Sequence, residues 1–145
     1  MIAVDSNILI YAHRTESKFH ARAAERLREL AGSDMAWAIP WPCAHEFLSI
    51  ATNLRIYSPP TPIENAVEFF EALLEAPGLS FLAETDSHWS ELRTLVISGR
   101  TTGGMVHDAR IAAIYLQHGV SELWSADRDF GRFPTLKVVN PLVAP

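Results

Sequence analysis

One pattern constrains the fold of this chain more than any other. Short apolar runs, each too brief for a buried helix, alternate with longer stretches of helical periodicity. The runs are "MIAV" (1–4), "AWAI" (36–39), "LSFL" (79–82) and "ELWSA" (122–126), with "LKVV" (136–139) as a candidate fifth. Helices are expected from Ser6 or Asn7, either of which can N-cap the first, then over His20–Ala31 with Gly32 as its stop. Others should run from Pro42 to about Asn53, over Ile63–Ala76, over Asp86–Ile97, and over Met105–His118, closed by Gly119. The last is apolar almost all round and should be mostly buried. Strands separated by helices imply an α/β domain: three layers, α/β/α, around a mainly parallel sheet of four or five strands.

The chain has 145 residues, the size of one domain over 1–145. Hydrophobic residues make up 48% and charged residues 20%, a globular balance rather than a disordered one. A lone Cys43 excludes an internal disulfide framework and fits a reducing cytoplasm. The longest uncharged apolar stretch, Met35–Ala44, is about half of what a membrane span needs, and Pro40 and Pro42 interrupt it. No basic leader precedes Asp5, so no signal peptide is expected.

A net charge of −5 argues against a nucleic-acid binder, but the charge is segregated. Arg14 to Arg28 carries five basic and two acidic residues, and Pro59 to Glu91 carries seven acidic and no basic ones. Such a surface can hold a polyanion on one side; two solvated helices of different composition explain it equally well.

Sites in open parallel sheets form beyond the carboxyl ends of the strands. Asp5 ends the first strand and Asp127 follows the fourth. Glu46 lies early in the helix after the second strand, and Asp108 lies in the first turn of the buried helix. Each acid alone has a plain structural explanation: Asp5 as a cap, Asp108 as a complement to a helix N-terminus, Glu46 reaching solvent, Asp127 as a turn residue. All four falling at strand ends or helix starts is harder to dismiss. Two carboxylates about 4 Å apart repel by roughly 4 kcal/mol at an effective dielectric near 20. A converging set must therefore be protonated, paired or neutralised by metal. Oxygen donors without Cys favour Mg2+ or Mn2+, and such a site suits phosphoryl transfer or phosphodiester hydrolysis. On this view, Asp5→Asn or Asp108→Asn should leave the metal-free fold as stable or more so.

Four stretches, "VDSNILIYAH", "HEFLS", "VHDARIAA" and "LWSADRDFGRF", occur in this order. Together they resemble the PIN-domain ribonucleases, and more narrowly the VapC toxins of bacterial and archaeal toxin–antitoxin operons. The resemblance covers nearly the whole chain. It implies that Asp5, Glu46, Asp108 and Asp127 form an acidic quartet binding Mg2+ or Mn2+. Ser6 and Ser125, where the family often has Thr, keep a hydroxyl able to orient carboxylates or water, and Asn7 matches the family's amide. The implied activity is endoribonuclease cleavage by water activated at the metal, leaving a 3′-hydroxyl. The implied partners are RNA, a cognate antitoxin whose tail blocks the site, and a second copy of the chain. For the homodimer there is also a sequence hint. Beside the expected core face Ile63, Val67, Phe70 and Leu74, the helix 63–76 carries a second apolar strip, Ala66, Phe69 and Leu73. The rivals are a catalytically idle PIN-like module binding RNA or protein and, further off, a metal-dependent phosphatase.

Other motifs fail. "HEFLS" has Ser49 where a zinc protease needs its second His. No glycine-rich nucleotide loop occurs. His45 and His107 read as supporting or packing residues, Cys43 as core, and Trp41 as the one candidate base-stacking ring among the tryptophans. Arg14, Arg110 and Arg128 are candidate RNA-phosphate contacts. Of the paired acids after the fourth strand, Asp127 is assigned to metal and Asp129 mainly to capping the short turn "FGRF".

Overall fold

The computed structural model describes residues 1–144. Five parallel strands form one sheet: β1 (Ile2–Val4), β2 (Trp37–Pro40), β3 (Leu79–Leu82), β4 (Glu122–Trp124) and β5 (Val138–Val139). Their spatial order is β3-β2-β1-β4-β5. The inner strands are apolar on both faces because both are covered: Ala3, Val4, Trp37, Ala38, Ile39 and Leu123 are fully buried.

Six α-helices make the crossovers: α1 (Ser6–His13), α2 (His20–Ala31), α3 (Trp41–Ala51), α4 (Ile63–Leu74), α5 (His88–Ser98) and α6 (Met105–Gln117). From β1 to β3 the chain steps one way across the sheet; from β3 it returns past β1 to β4. Right-handed crossovers then put α1–α4 on one face and α5 and α6 on the other. The packing agrees: α1 meets α2 and α3, α3 meets α4, and α5 meets α6. The reversal creates a switch point between β1 and β4, where an open sheet leaves a crevice at its carboxyl edge.

Local signals account for most boundaries. Pro42 sits in the first turn of α3, and Gly119 follows α6 at φ 63°, a conformation costly for a residue with a Cβ. Two expectations fail. The first helix is capped by Asp5, not by Ser6 or Asn7: its extended backbone and its carboxylate, which accepts from the Ser6 amide, make the cap. And α4 is turned the other way. Ala66 and Leu73 are buried and Phe69 is half-buried, whereas Ile63, Val67 and Leu74 are exposed by 49%, 38% and 52%. Phe47 of α3 decides this orientation. It takes Phe69 and Phe70 against its ring, at 5.2 and 6.3 Å between centroids, and Ala66 offers the small surface that lets the helices approach.

Candidate active site

At the switch point Asp5 is 3% exposed and its carboxylate is surrounded by donors. Oδ1 accepts from the Ser6 amide (2.8 Å) and from the Cys43 thiol (3.4 Å). Oδ2 accepts from the Ser125 hydroxyl (2.7 Å) and the Asn7 side-chain amide (3.0 Å). Asn7 and Ser125 also join the two strand ends to each other. The Asn7 amide donates to Ser125 Oγ (3.1 Å), Asn7 Oδ1 accepts from the Ala126 backbone (3.1 Å), and Ser125 Oγ accepts from the Asp127 backbone (3.0 Å). The Ser6 hydroxyl, with one proton to give, donates to Glu46 Oε2 at 2.9 Å. Burial pushes the Asp5 carboxyl above its ordinary range, and the Ser125, Ser6 and Cys43 donors pull it back.

Across the crevice the arrangement differs. Asp108, from the first turn of α6, and Asp127 and Asp129, from the segment after β4, each bring a carboxylate oxygen within 4.8 Å of the others. Burial first, and then the charges of Asp127, Asp5, Asp129 and Glu46, together raise the Asp108 carboxyl to about 6. Glu46 is also raised, by burial first, with the Ser6 donor opposing and Asp5 and Asp127 adding to it. Among the described residues the ion pairs are Arg14–Glu16, Arg22–Glu25, Arg26–Glu29, Arg110–Glu84 and Lys137–Glu122, and none of them reaches these acids. An all-oxygen set under mutual repulsion, with no ion pair to it among the described residues, fits a hard divalent ion.

The four candidate acids thus lie together, as do Ser6, Asn7 and Ser125. The cap expected of Asp129 needs correction. Asp127 is the residue that caps the following 3-10 turn (Arg128–Arg132), its Oδ1 accepting from the Asp129 amide at 2.8 Å. Asp129, in the first turn, points its carboxylate back into the group with Asp108. The chain turns at once after Asp127, yet the two carboxylates do not part.

The arginines divide. Arg14 is bound by neighbouring groups. It pairs with Glu16, donates to Thr61 Oγ1 and the Pro59 carbonyl (3.0 Å each) and lies 4.1 Å over the Tyr57 ring. It also follows the end of α1 opposite Asp5, about 12 Å along the axis. Arg110 is anchored by Glu84 and lines a cavity with Glu46, and Arg128 is exposed beside Asp127. His45 and His107 are exposed rather than packed and line the same cavity as Arg110. Cys43 is core, as expected, but its thiol is also a donor to Asp5. Burial first, then the Asp5 and Glu46 charges, push its pKa far up, so it keeps its proton. No motif in the sequence marks that contact; it exists because Cys43 sits in the first turn of α3 facing the end of β1.

The PIN domain family profile matches residues 2–136, spanning both halves of this site. Ribonuclease VapC43 of Mycobacterium tuberculosis is 35% identical over 142 residues, 98% of this chain and 96% of that protein. Ribonuclease VapC48 of the same species is 30% identical over 138 residues, 94% of each. This chain belongs to the PIN-domain family, among the VapC ribonucleases. Solved structures agree on the VapC fold. VapBC2 from Rickettsia felis, bound to a DNA fragment from its promoter, superposes with a TM-score of 0.68 at 20% identity over 97% of this chain and 98% of that one. A toxin–antitoxin complex from Klebsiella pneumoniae does so with a TM-score of 0.64 at 19% identity, with the same coverage. No helix of this VapC chain, among the described residues, is long and apolar enough to cross a membrane.

Proposed function

We propose that this VapC-family ribonuclease is the toxin of a toxin–antitoxin pair. It cuts RNA endonucleolytically with Mg2+, for which Mn2+ can substitute, held by Asp5, Glu46, Asp108, Asp127 and Asp129. The observation that carries this reading is the carboxylate group of Asp108, Asp127 and Asp129, set against Asp5 and Glu46 with no ion pair to relieve it. A divalent ion there supplies charge neutralisation, polarises the phosphodiester and eases deprotonation of water. Asp5 ties the ends of β1 and β4 together. Ser6 orients the Glu46 carboxylate, and Asn7 and Ser125 hold the backbone that presents Asp127. Regulation fits a protein antitoxin, since relatives of this fold were solved in complex with one. A second copy of the chain fits the exposed Ile63, Val67 and Leu74 of α4, and the corrected orientation makes these, not Ala66 and Leu73, the available face. Light scattering should give about twice 16.1 kDa, and a 16.1 kDa species at micromolar concentration would remove the dimer.

The test is incubation of the purified chain with total RNA in Mg2+, in Mn2+ and in EDTA, mapping new 5′ ends. Cleavage should require a divalent ion. Cutting that persists in EDTA and is retained by Asp108→Asn would contradict this site. Hydrolysis of a small phosphate ester without RNA cleavage would favour the phosphatase reading instead.

A further inference from the structure

A cavity of about 370 Å3 opens beside the acids, lined by Pro42, His45 and Glu46 of α3 and His107 and Arg110 of α6. Glu46 is its wall toward the acid site, so whatever fills the cavity adjoins the reacting phosphate. The remaining lining residues suit recognition rather than metal binding. Arg110 is held through Nε by Glu84, and its side chain is 40% exposed, so the guanidinium is fixed at the opening with donors to spare. His45 and His107 are both exposed.

One turn before His45 on the same face of α3 stands Trp41, 42% exposed. Its inner face stacks on Phe81 at 4.3 Å and 20°, and Phe81 in turn packs on Phe70 at 5.5 Å. The indole is therefore held in place from behind while its outer side meets solvent. The His45 ring lies 6.5 Å from it at 30°, extending the flat surface toward the cavity. A rigid exposed indole, a second ring tilted beside it and an anchored guanidinium are what a splayed nucleotide needs: planar surfaces for the base and a cation for its phosphate.

We infer that this cavity, with Trp41 at its rim, seats the nucleotide next to the scissile phosphate. The base lies against Trp41 and His45, and the phosphate meets Arg110. The inference rests on the ribonuclease reading above and makes the substrate single-stranded at that position, because a paired base has no free face. It also makes α3 and α6, which carry Glu46 and Asp108, the elements that set base preference on one side of the cut.

The experiment measures KM, kcat and mapped cut sites on a randomised single-stranded RNA pool at saturating Mg2+. The variants are Trp41→Ala, Trp41→Phe, His45→Ala and Arg110→Gln, with Trp89→Ala as the control. Trp89 is 69% exposed on α5, whose start bonds Gln117 at the far end of α6 from Asp108. Trp41→Ala should raise KM about tenfold or more and flatten base preference at one position beside the cut, with kcat within about threefold. His45→Ala should do the same more weakly, and Trp41→Phe should restore part of the preference. Arg110→Gln should raise KM for all sequences without changing the preference, and Trp89→Ala should change neither. Should Trp41→Ala melt early, the exposed His45 variant decides. Normal KM and preference in both His45→Ala and Trp41→Phe, with cutting intact, would overturn the subsite and leave the ribonuclease reading standing. An absence of cutting by the wild type on every RNA would sink that reading, and the subsite with it.

Discussion

The two walls of the crevice are both acidic, and they are built on opposite principles. Around Asp5 the carboxylate has protein donors on both oxygens: an amide, a thiol, a hydroxyl and a side-chain amide. Around Asp108 the neighbours are other carboxylates, and among the described residues the one donor bond to this group, from the Asp129 amide to Asp127, belongs to the turn itself. The protein has thus supplied one charge with donors of its own and left the other group without them. The same residue type at the two places should be equally necessary for chemistry and opposite in its effect on stability.

The largest expected effect would erase the distinction at the level of rate. Asp5→Asn and Asp108→Asn should each slow RNA cleavage by about a hundredfold or more, roughly 2.7 kcal/mol of barrier, measured as initial rate at saturating Mg2+. If one of them keeps near-normal activity, the two walls are not parts of a single site.

A finer split lies within the exposed wall. Asp127→Ala should lose about 1 kcal/mol of stability with its cap, whereas Asp129→Ala should lose little, and Asp127→Asn should keep the cap. Both Asn variants should impair cleavage by at least about tenfold. Denaturant melts paired with cleavage rates check this; greater destabilisation by Asp129→Ala than by Asp127→Ala would restore the cap to Asp129. Smallest of all, Arg14→Ala should cost about 1 kcal/mol of stability through its bonds to the 57–61 loop, and leave kcat unchanged. A kcat loss at unchanged melting temperature would return Arg14 to the substrate.

Much of this was legible in the residues because it is local or periodic. Strands of three or four apolar residues separated by helices leave few topologies, and acids at strand ends follow from that topology. What periodicity could not choose was a face. On α4, Ile63, Val67, Phe70 and Leu74 repeat at helical spacing, and so do Ala66, Phe69, Phe70 and Leu73; the rings of Phe47 and His13, from other helices, decide between them. The cap at Asp127 escaped for a related reason. Asp127 and Asp129 are both good N-cap residues, and the extended backbone at Asp127 selects between them. Arg14 meets Tyr57, Pro59 and Thr61, and Cys43 meets Asp5, across more than 30 residues, which no local pattern encodes.

The central claim is tested most directly by melting metal-free wild type, Asp5→Asn and Asp108→Asn in EDTA from pH 7 down to pH 4. At neutral pH Asp5→Asn should be less stable than wild type by about 1–3 kcal/mol, because an amide offers its own donors to groups that are already donors. Asp108→Asn should be as stable as wild type or more so. The sign of its pH dependence follows from its raised pKa. The unfolded chain protonates this carboxyl only below about 4, and the folded chain does so below about 6. Between those values the native state binds more protons, so wild-type stability gains a contribution as pH falls through about 6 that Asp108→Asn lacks. Glu84 and Glu122, with lowered pKa values, act in the opposite sense but identically in both proteins, and cancel in the comparison. A stability difference between wild type and Asp108→Asn that narrows with acid, with Asp5→Asn below both at pH 7, is the predicted result. Destabilisation of comparable size by both substitutions at pH 7 would contradict it, and would make Asp108 a structural acid like Asp5.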